Sequence, residues 1–248
     1  MKQYKNYIFD FYGTLVDIKT DEESLVFWKK IAEVYSHFGA DYTPKELKKT
    51  YIKFVKEEEK KLIEKHGYKY PEIELKTVFV RLLTEAKKKH KTKNTISDLN
   101  SWADHIATFF RVESRDYIKP YPDTIETLTE LKKRGAKVYL LSNAQRCFTQ
   151  AELEITGIEP LLDDAFLSSD YEIRKPEPAF LQRLMEKHNM KKEGTVMVGN
   201  DTTADINMPQ MVGIDAVLIN TFKFTKKYIK DTCKEEPLII TRIKELLF

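Results

Sequence analysis

Asp10 stands where a short apolar run, Asn6-Tyr7-Ile8-Phe9, gives way to Phe11-Tyr12-Gly13-Thr14. A carboxylate held by a strand and opened outward by a glycine-containing turn suits a nucleophile. Further breaks after apolar runs carry other polar groups. Ser142-Asn143 follows Val138-Tyr139-Leu140-Leu141, Lys175 follows Ala165-Phe166-Leu167, and Asn200-Asp201, with Asp205 one helical turn on, follows Val196-Met197-Val198. An acid nucleophile, a hydroxyl and amide pair, a cation and a second acidic cluster make a set able to transfer a phosphoryl group. Asp10 and Asp201 can share one Mg²⁺, which offsets the repulsion between Asp10 and an incoming dianion. Ser142 can donate to a phosphoryl oxygen. Lys175, in the stiff Lys175-Pro176-Glu177-Pro178 turn, can balance charge on Asp10 and on the transferring group. Singly, each piece has an ordinary explanation: a helix cap, a solvated lysine, or acids favouring a helix N-terminus. Their order at successive strand ends argues for a site.

That order requires a scaffold. From Pro122 onward, helical stretches alternate with the apolar runs above and with Ala216-Val217-Leu218-Ile219, and Leu238-Ile239-Ile240 adds a further strand. This is the pattern of an α/β fold, a parallel sheet covered by helices, with Gly135 closing the helix before Val138. The strand at Tyr7-Ile8-Phe9 joins the same sheet, and ligands of such sheets bind beyond the carboxyl ends of the strands. Between about Asp21 and Val112 the spacing predicts helices throughout. Leu25, Trp28, Ala32 and Tyr35 form one apolar stripe; Thr43-Pro44-Lys45-Glu46 is a capping box whose helix stops at Gly67. Ile73, Val78, Phe79, Leu82, Leu83 and Ala86 form another stripe, and Leu99, Trp102, Ala103, Ile106, Phe109 and Phe110 the last. A four-helix insertion over residues 18–112 is therefore expected within a core made of residues 1–17 and 113–248.

Composition narrows the class. With 42 basic and 39 acidic residues in 248, the surplus of +3 is too small to imply a nucleic-acid partner. The run Lys87-Lys88-Lys89-His90-Lys91-Thr92-Lys93 reads as a solvated helix end. Cys147 and Cys233 lack metal-ligand spacing and read as inert thiols of a reducing compartment. No stretch of eighteen apolar residues occurs, so no membrane partner is implied, and a cytoplasmic protein, monomer or homodimer, is expected.

These motifs resemble those of the haloacid dehalogenase-like (HAD) hydrolase superfamily. Asp10-Phe11-Tyr12-Gly13-Thr14 is similar to its Asp-x-Asp-x-Thr motif in all but the middle position. Ser142, Lys175, and Asn200-Asp201 with Asp205 are similar to the second, third and fourth motifs. Tyr121-Pro122-Asp123, Leu131-Lys132-Lys133-Arg134-Gly135 and Gly213-Ile214 resemble the subfamily whose helical cap is inserted after the first motif. The resemblance implies a Rossmann-like core under an inserted cap and a covalent aspartyl intermediate on Asp10. It also implies metal ligation by Asp10, Asp201 and the Tyr12 carbonyl, with Asn200 a direct or water-mediated ligand and Asp205 hydrogen-bonding metal waters. Ser142 and Asn143 are expected at the phosphoryl group, Thr14 orienting the Asp10 loop, and Tyr12 and Lys175 among the catalytic residues.

Phosphatases of the superfamily place an acid-base aspartate where this chain has Tyr12. A phenol, with a reference pKa near 10, donates a proton but is a poor base. Tyr at this position also resembles the 2-haloacid dehalogenases, which need no metal. That branch relies on an early-cap arginine, and no arginine occurs between Met1 and Val80. The expected activity is Mg²⁺-dependent hydrolysis of a small phosphorylated metabolite. Dehalogenation is the alternative, and a degenerate ligand-binding member that turns nothing over is the third reading.

Overall fold

The computed structural model describes residues 2–90 and 96–248, the side chains of 87–90 excepted; the basic run Lys87–Lys93 thus lies outside the described residues but for the backbone of a helix end. The chain opens with β1 (Asn6–Phe9) and β2 (Val16–Thr20), then four helices, α1 (Leu25–His37), α2 (Pro44–His66), α3 (Leu75–His90) and α4 (Leu99–Ser114). There follow β3 (Arg115–Pro120), α5 (Thr124–Lys133), β4 (Lys137–Ser142), α6 (Arg146–Ile155), β5 (Asp164–Leu167) and α7 (Pro178–Lys187). Then come β6 (Thr195–Gly199), α8 (Met208–Val212), β7 (Asp215–Ile219), α9 (Lys226–Thr232) and β8 (Leu238–Ile240), followed by a 3-10 turn at Ile243–Leu247.

Six strands form one sheet in the order β5-β4-β1-β6-β7-β8, and every pairing in it is parallel. Apart from the edge strand β8, where Leu238 and Ile239 are exposed, both faces are buried, as the continuous apolar runs require. Tyr7, Phe9, Val138 and Leu140 pack to one side, Ile8, Tyr139 and Leu141 to the other. Strand β1 lies between β4 and β6, so successive connections leave it in opposite directions. This reversal opens a crevice at the carboxyl ends of the strands, just where Asp10 follows β1.

The inserted helices have a core of their own, built on Trp28, Ala32, Tyr35, Val78, Phe79, Leu82, Trp102, Ile106 and Phe110. Leu25, expected in the first stripe, is instead 48 % exposed at the helix start. The Thr43/Glu46 capping box and the left-handed Gly67 bound α2 as the sequence predicts. One feature was not anticipated: β2 and β3 pair antiparallel as a two-stranded ribbon, Ile18 opposite Ile118, where the chain leaves and re-enters the core. The cap thus hangs on a ribbon rather than on loops. No described helix is long and apolar enough to cross a membrane.

Candidate active site

The turn after β1 is tight because the N–H groups of Thr14, Leu15 and Val16 all point to the Phe11 carbonyl, at 3.3, 2.9 and 3.1 Å. Asp10, at its start, is buried, and its Oδ1 accepts from Ser142 Oγ at 3.0 Å and from Lys175 Nζ at 2.8 Å. Its Oδ2 has only a long 3.4 Å contact from the Thr14 hydroxyl. Among the described residues one oxygen is therefore held by two partners and the other by one long contact. Lys175 Nζ also donates to Asp205 Oδ1 at 2.7 Å, so one buried ammonium joins two carboxylates. Burial works against that charge, but the fields of Asp10 and Asp205 outweigh it and hold the lysine pKa above its ordinary value. Burial likewise raises the Asp205 carboxyl, with Lys175 opposing.

Asn143, expected at the phosphoryl group, is committed elsewhere. Its Oδ1 accepts from the Lys175 N–H at 2.7 Å and its Nδ2 donates to the Lys175 carbonyl at 2.9 Å. The amide grips the lysine backbone and so sets where the ammonium emerges. Asp205, expected to bond metal waters, also has both oxygens occupied: Oδ2 accepts the N–H groups of Asn200 and Asp201 at 3.1 and 3.0 Å. It holds the turn after β6 closed. Gly199 permits this, because a Cβ there would lie 2.2 Å from Asp205 Oδ2. Gly13, at φ +77°, gives way to Asn200 in the same manner, since a Cβ would meet Asn200 Nδ2 at 2.6 Å.

Asn200 Oδ1 accepts from Thr14 at 3.1 Å, tying the fourth motif to the first. Asp201 is exposed and its Oδ1 caps the following π-helical turn, accepting from Thr203 and Ala204 N–H at 2.7 Å each. Its other oxygen makes no hydrogen bond among the described residues. Asp10, Asp201 and the Tyr12 carbonyl offer hard oxygen donors of the kind Mg²⁺ takes. Among the described residues, no group of three or more His, Cys, Asp or Glu side chains stands at metal-holding distance. Two carboxylates suit Mg²⁺, which usually completes its shell with water and substrate phosphate.

The Tyr12 side chain reaches across to α6. Its hydroxyl donates to Glu152 Oε2 at 2.5 Å and lies 2.8 Å from Thr149 Oγ1, both on α6. Burial, with the Glu152 charge next, pushes the phenol above its ordinary range. Glu152, fully buried, also accepts from Arg111 Nε and from Arg115 Nη1, each at 2.7 Å. Glu152, Arg111 and Arg115 were not anticipated as site residues, because nothing local marks them. Arg111 stands 5.5 Å over the Tyr12 ring and 5.2 Å over Phe148, which itself stacks on Phe110 of the cap.

Beside this cluster a cleft of about 460 Å³ runs between cap and core. The core lines it with Tyr12, Asn143 and Phe148, and the insertion with Glu22, Tyr51 and Arg111. Neither cysteine reaches it; burial pushes the Cys147 thiol up to about 12.

Comparisons with known proteins agree with this architecture. The glyceraldehyde 3-phosphate phosphatase of Methanocaldococcus jannaschii is 32 % identical over 107 residues, 43 % of this chain and 47 % of that protein. The pyrophosphatase PpaX of Oceanobacillus iheyensis is 28 % identical over 149 residues, 58 % and 68 % of the two chains. The chain thus spans about half the length of the first of these curated relatives. Among solved structures, the L-2-haloacid dehalogenase of Xanthobacter autotrophicus superposes with a TM-score of 0.56 at 16 % identity, covering 98 % of this chain and 97 % of that one. The putative HAD-hydrolase YfnB of Bacillus subtilis, bound to magnesium, gives 0.54 at 17 %, covering 99 % and 97 %. These two likenesses establish the fold. A family model for haloacid dehalogenase-like hydrolases matches residues 4–213, and the chain belongs to that family.

Proposed function

We propose that this hydrolase is a Mg²⁺-dependent phosphohydrolase of a small phosphorylated metabolite, working through an aspartyl-phosphate on Asp10. The observation that carries this reading is the single Lys175 ammonium shared by Asp10 and Asp205, with Ser142 on the same Asp10 oxygen. That arrangement restrains one oxygen, frees the other for in-line attack, and leaves a cation and a hydroxyl beside the incoming phosphoryl group. The phosphatase names of distant relatives support it.

In this reading Asp10 attacks, Ser142 turns its hydroxyl to a phosphoryl oxygen, and Lys175 balances charge. Thr14 and Asn200 hold the nucleophile loop, and Asn143 and Asp205 position Lys175 and the turn before Asp201. Asp10, Asp201 and the Tyr12 carbonyl would hold Mg²⁺, with Asn200 adjoining. The ion would neutralise charge between carboxylate and phosphate. The test is turnover of p-nitrophenyl phosphate with Mg²⁺, together with its loss in Asp10→Asn, whose amide is nearly isosteric but cannot attack phosphorus. Retention of more than a small fraction of the rate by that variant would refute the nucleophile assignment.

Arg111 gives the dehalogenase reading a specific observation in its favour. No arginine occurs in the first eighty residues, but α4 brings one to the cleft: Arg111 stands 5.5 Å over the Tyr12 ring. Its pairing with Glu152 neutralises much of its charge, and this favours the phosphohydrolase.

A further inference from the structure

Tyr12 leaves this site without an acid on the nucleophile loop. Its hydroxyl proton is given to Glu152, behind the cleft, and the ring is covered by Arg111. A leaving alkoxide must be protonated by another group, and the water that opens an aspartyl-phosphate needs a base. The cleft offers three carboxylates, Glu22, Glu59 and Glu72. Glu72 has both oxygens occupied, by Gln145 Nε2 at 3.1 Å and Ser168 Oγ at 3.0 Å. Glu59 faces Arg174 at 3.4 Å. The Glu22 carboxylate makes no hydrogen bond among the described residues, and its nearest cation, Arg111 Nη1, is 3.9 Å away.

Three features single out Glu22. It lies just past β2, on the ribbon that carries the nucleophile loop into the cap. Its side chain is 39 % exposed, enough to exchange protons with solvent. Through Arg111 it stands on the cap side of the same cleft whose core side is Tyr12.

Resting on the phosphohydrolase reading, we propose that Glu22 is the proton carrier of this site. As Asp10 Oδ2 bonds to phosphorus, the bond from phosphorus to the leaving oxygen breaks. The electron pair stays on that oxygen, which takes the Glu22 proton and departs as an alcohol. The Glu22 carboxylate then accepts a proton from the water that attacks phosphorus, the aspartyl oxygen-to-phosphorus bond breaks, and Asp10 is restored with inorganic phosphate released. The groups that act on Glu22 are Arg111 of α4, Tyr51 of α2 and Glu23 beside it, and Glu59 of α2, Glu72 of the loop before α3 and Arg174 of the core line the same cleft. Burial raises the Glu22 carboxyl above its ordinary range, with Arg111 opposing. A proton retained to higher pH is what an acid at neutrality requires.

The experiment compares wild type, Glu22→Gln and Glu22→Asp on p-nitrophenyl and phenyl phosphate with Mg²⁺, following both the first turnover and the steady state. Nitrophenolate leaves without a proton, whereas phenolate, with a pKa near 10, gains from one. Glu22→Gln is expected to release a burst of nitrophenolate equal to the enzyme concentration, then to turn over about a hundredfold or more slower than wild type, because the base is gone. Its phenyl phosphate burst is expected to slow by a similar factor. The alkaline fall in the wild-type phenyl phosphate profile should vanish, and Glu22→Asp should restore part of the rate. Equal losses in burst and steady state on both esters, or no loss, would overturn the assignment of Glu22 and leave the phosphohydrolase reading intact. Absence of turnover of p-nitrophenyl phosphate by the wild type would overturn that reading, and this inference with it.

Discussion

The phenol of Tyr12 donates a 2.5 Å hydrogen bond to the fully buried carboxylate of Glu152, 140 residues along the chain. Around that carboxylate gather Arg111 and Arg115 from the end of the cap and the start of β3. Residue 12 therefore ties the turn after β1 to the seam between cap and core. A buried charge is tolerable when every lone pair is used, and here two guanidinium groups and a phenol use them. Tyr12 thus has a structural occupation, which accounts for an aromatic hydroxyl two residues after Asp10.

Tyr12→Phe tests that occupation. The variant loses two hydrogen bonds but keeps the ring under Arg111, so a loss of about 1–2 kcal/mol is expected in chemical denaturation. Its ratio of phenyl to p-nitrophenyl phosphate turnover should match the wild type. A selective loss on phenyl phosphate would make the phenol the proton donor after all.

Glu152→Gln should do more damage. Removing the charge leaves two cationic groups facing each other beside the nucleophile loop, at a cost of about 3 kcal/mol or more. For a chain of this length that corresponds to a melting temperature lower by roughly 10 °C. Adding Arg111→Gln to it should cost less than the two single losses summed, because the pair no longer exists to be broken. Additive losses would show that Glu152 and Arg111 do not act on each other.

Much of this was legible beforehand. The capping box of α2, the six strands and the polar groups beyond them are local signals, carried by spacing and by turn chemistry. Local signals place Asp10, Ser142, Lys175 and Asp205 at the ends of strands but do not say which atoms meet. That Asn143 grips the Lys175 backbone depends on β4 pairing with β5, and that one Lys175 ammonium joins Asp10 to Asp205 depends on β1 lying between β4 and β6, relations set by topology. The β2–β3 ribbon escaped because its strands are largely polar and half-exposed and are separated by the whole cap, although the alternation Val16-Asp17-Ile18 carried a weak signal. Glu152 had no signal at all, since a glutamate in a helix reads as solvated until its partners are known.

Gly199→Ala is a sharper probe of the site than its size suggests. The added methyl would lie 2.2 Å from Asp205 Oδ2 and 2.4 Å from its Cβ, so the carboxylate must move, and with it the partner of Lys175. An activity loss of about a hundredfold is expected, in line with displacing a group that fixes active-site geometry. Gly194→Ala is the control, because there the nearest atom is Lys5 Cβ at 3.7 Å. Comparable activity in the two variants would mean that the position of Asp205 is immaterial.

The metal separates the two enzymatic readings. In the phosphohydrolase reading Asp10 and Asp201 share one cation, which relieves their repulsion while attracting substrate. Mg²⁺ at about a hundred times its dissociation constant should therefore raise stability by about 2.7 kcal/mol, visible as a thermal shift with no substrate present. Asp201→Ala would lose this response but also the cap on Thr203 and Ala204, worth about 1 kcal/mol. Asp201→Asn keeps a capping oxygen and removes only the charge, so it isolates the metal. Both variants are expected to lose the Mg²⁺-dependent shift and the Mg²⁺-dependent activity together, whereas Asp201→Asn retains its metal-free melting temperature. Release of chloride from 2-chloropropionate at the same rate with and without EDTA, and without any thermal shift on adding Mg²⁺, would replace the phosphohydrolase with the dehalogenase.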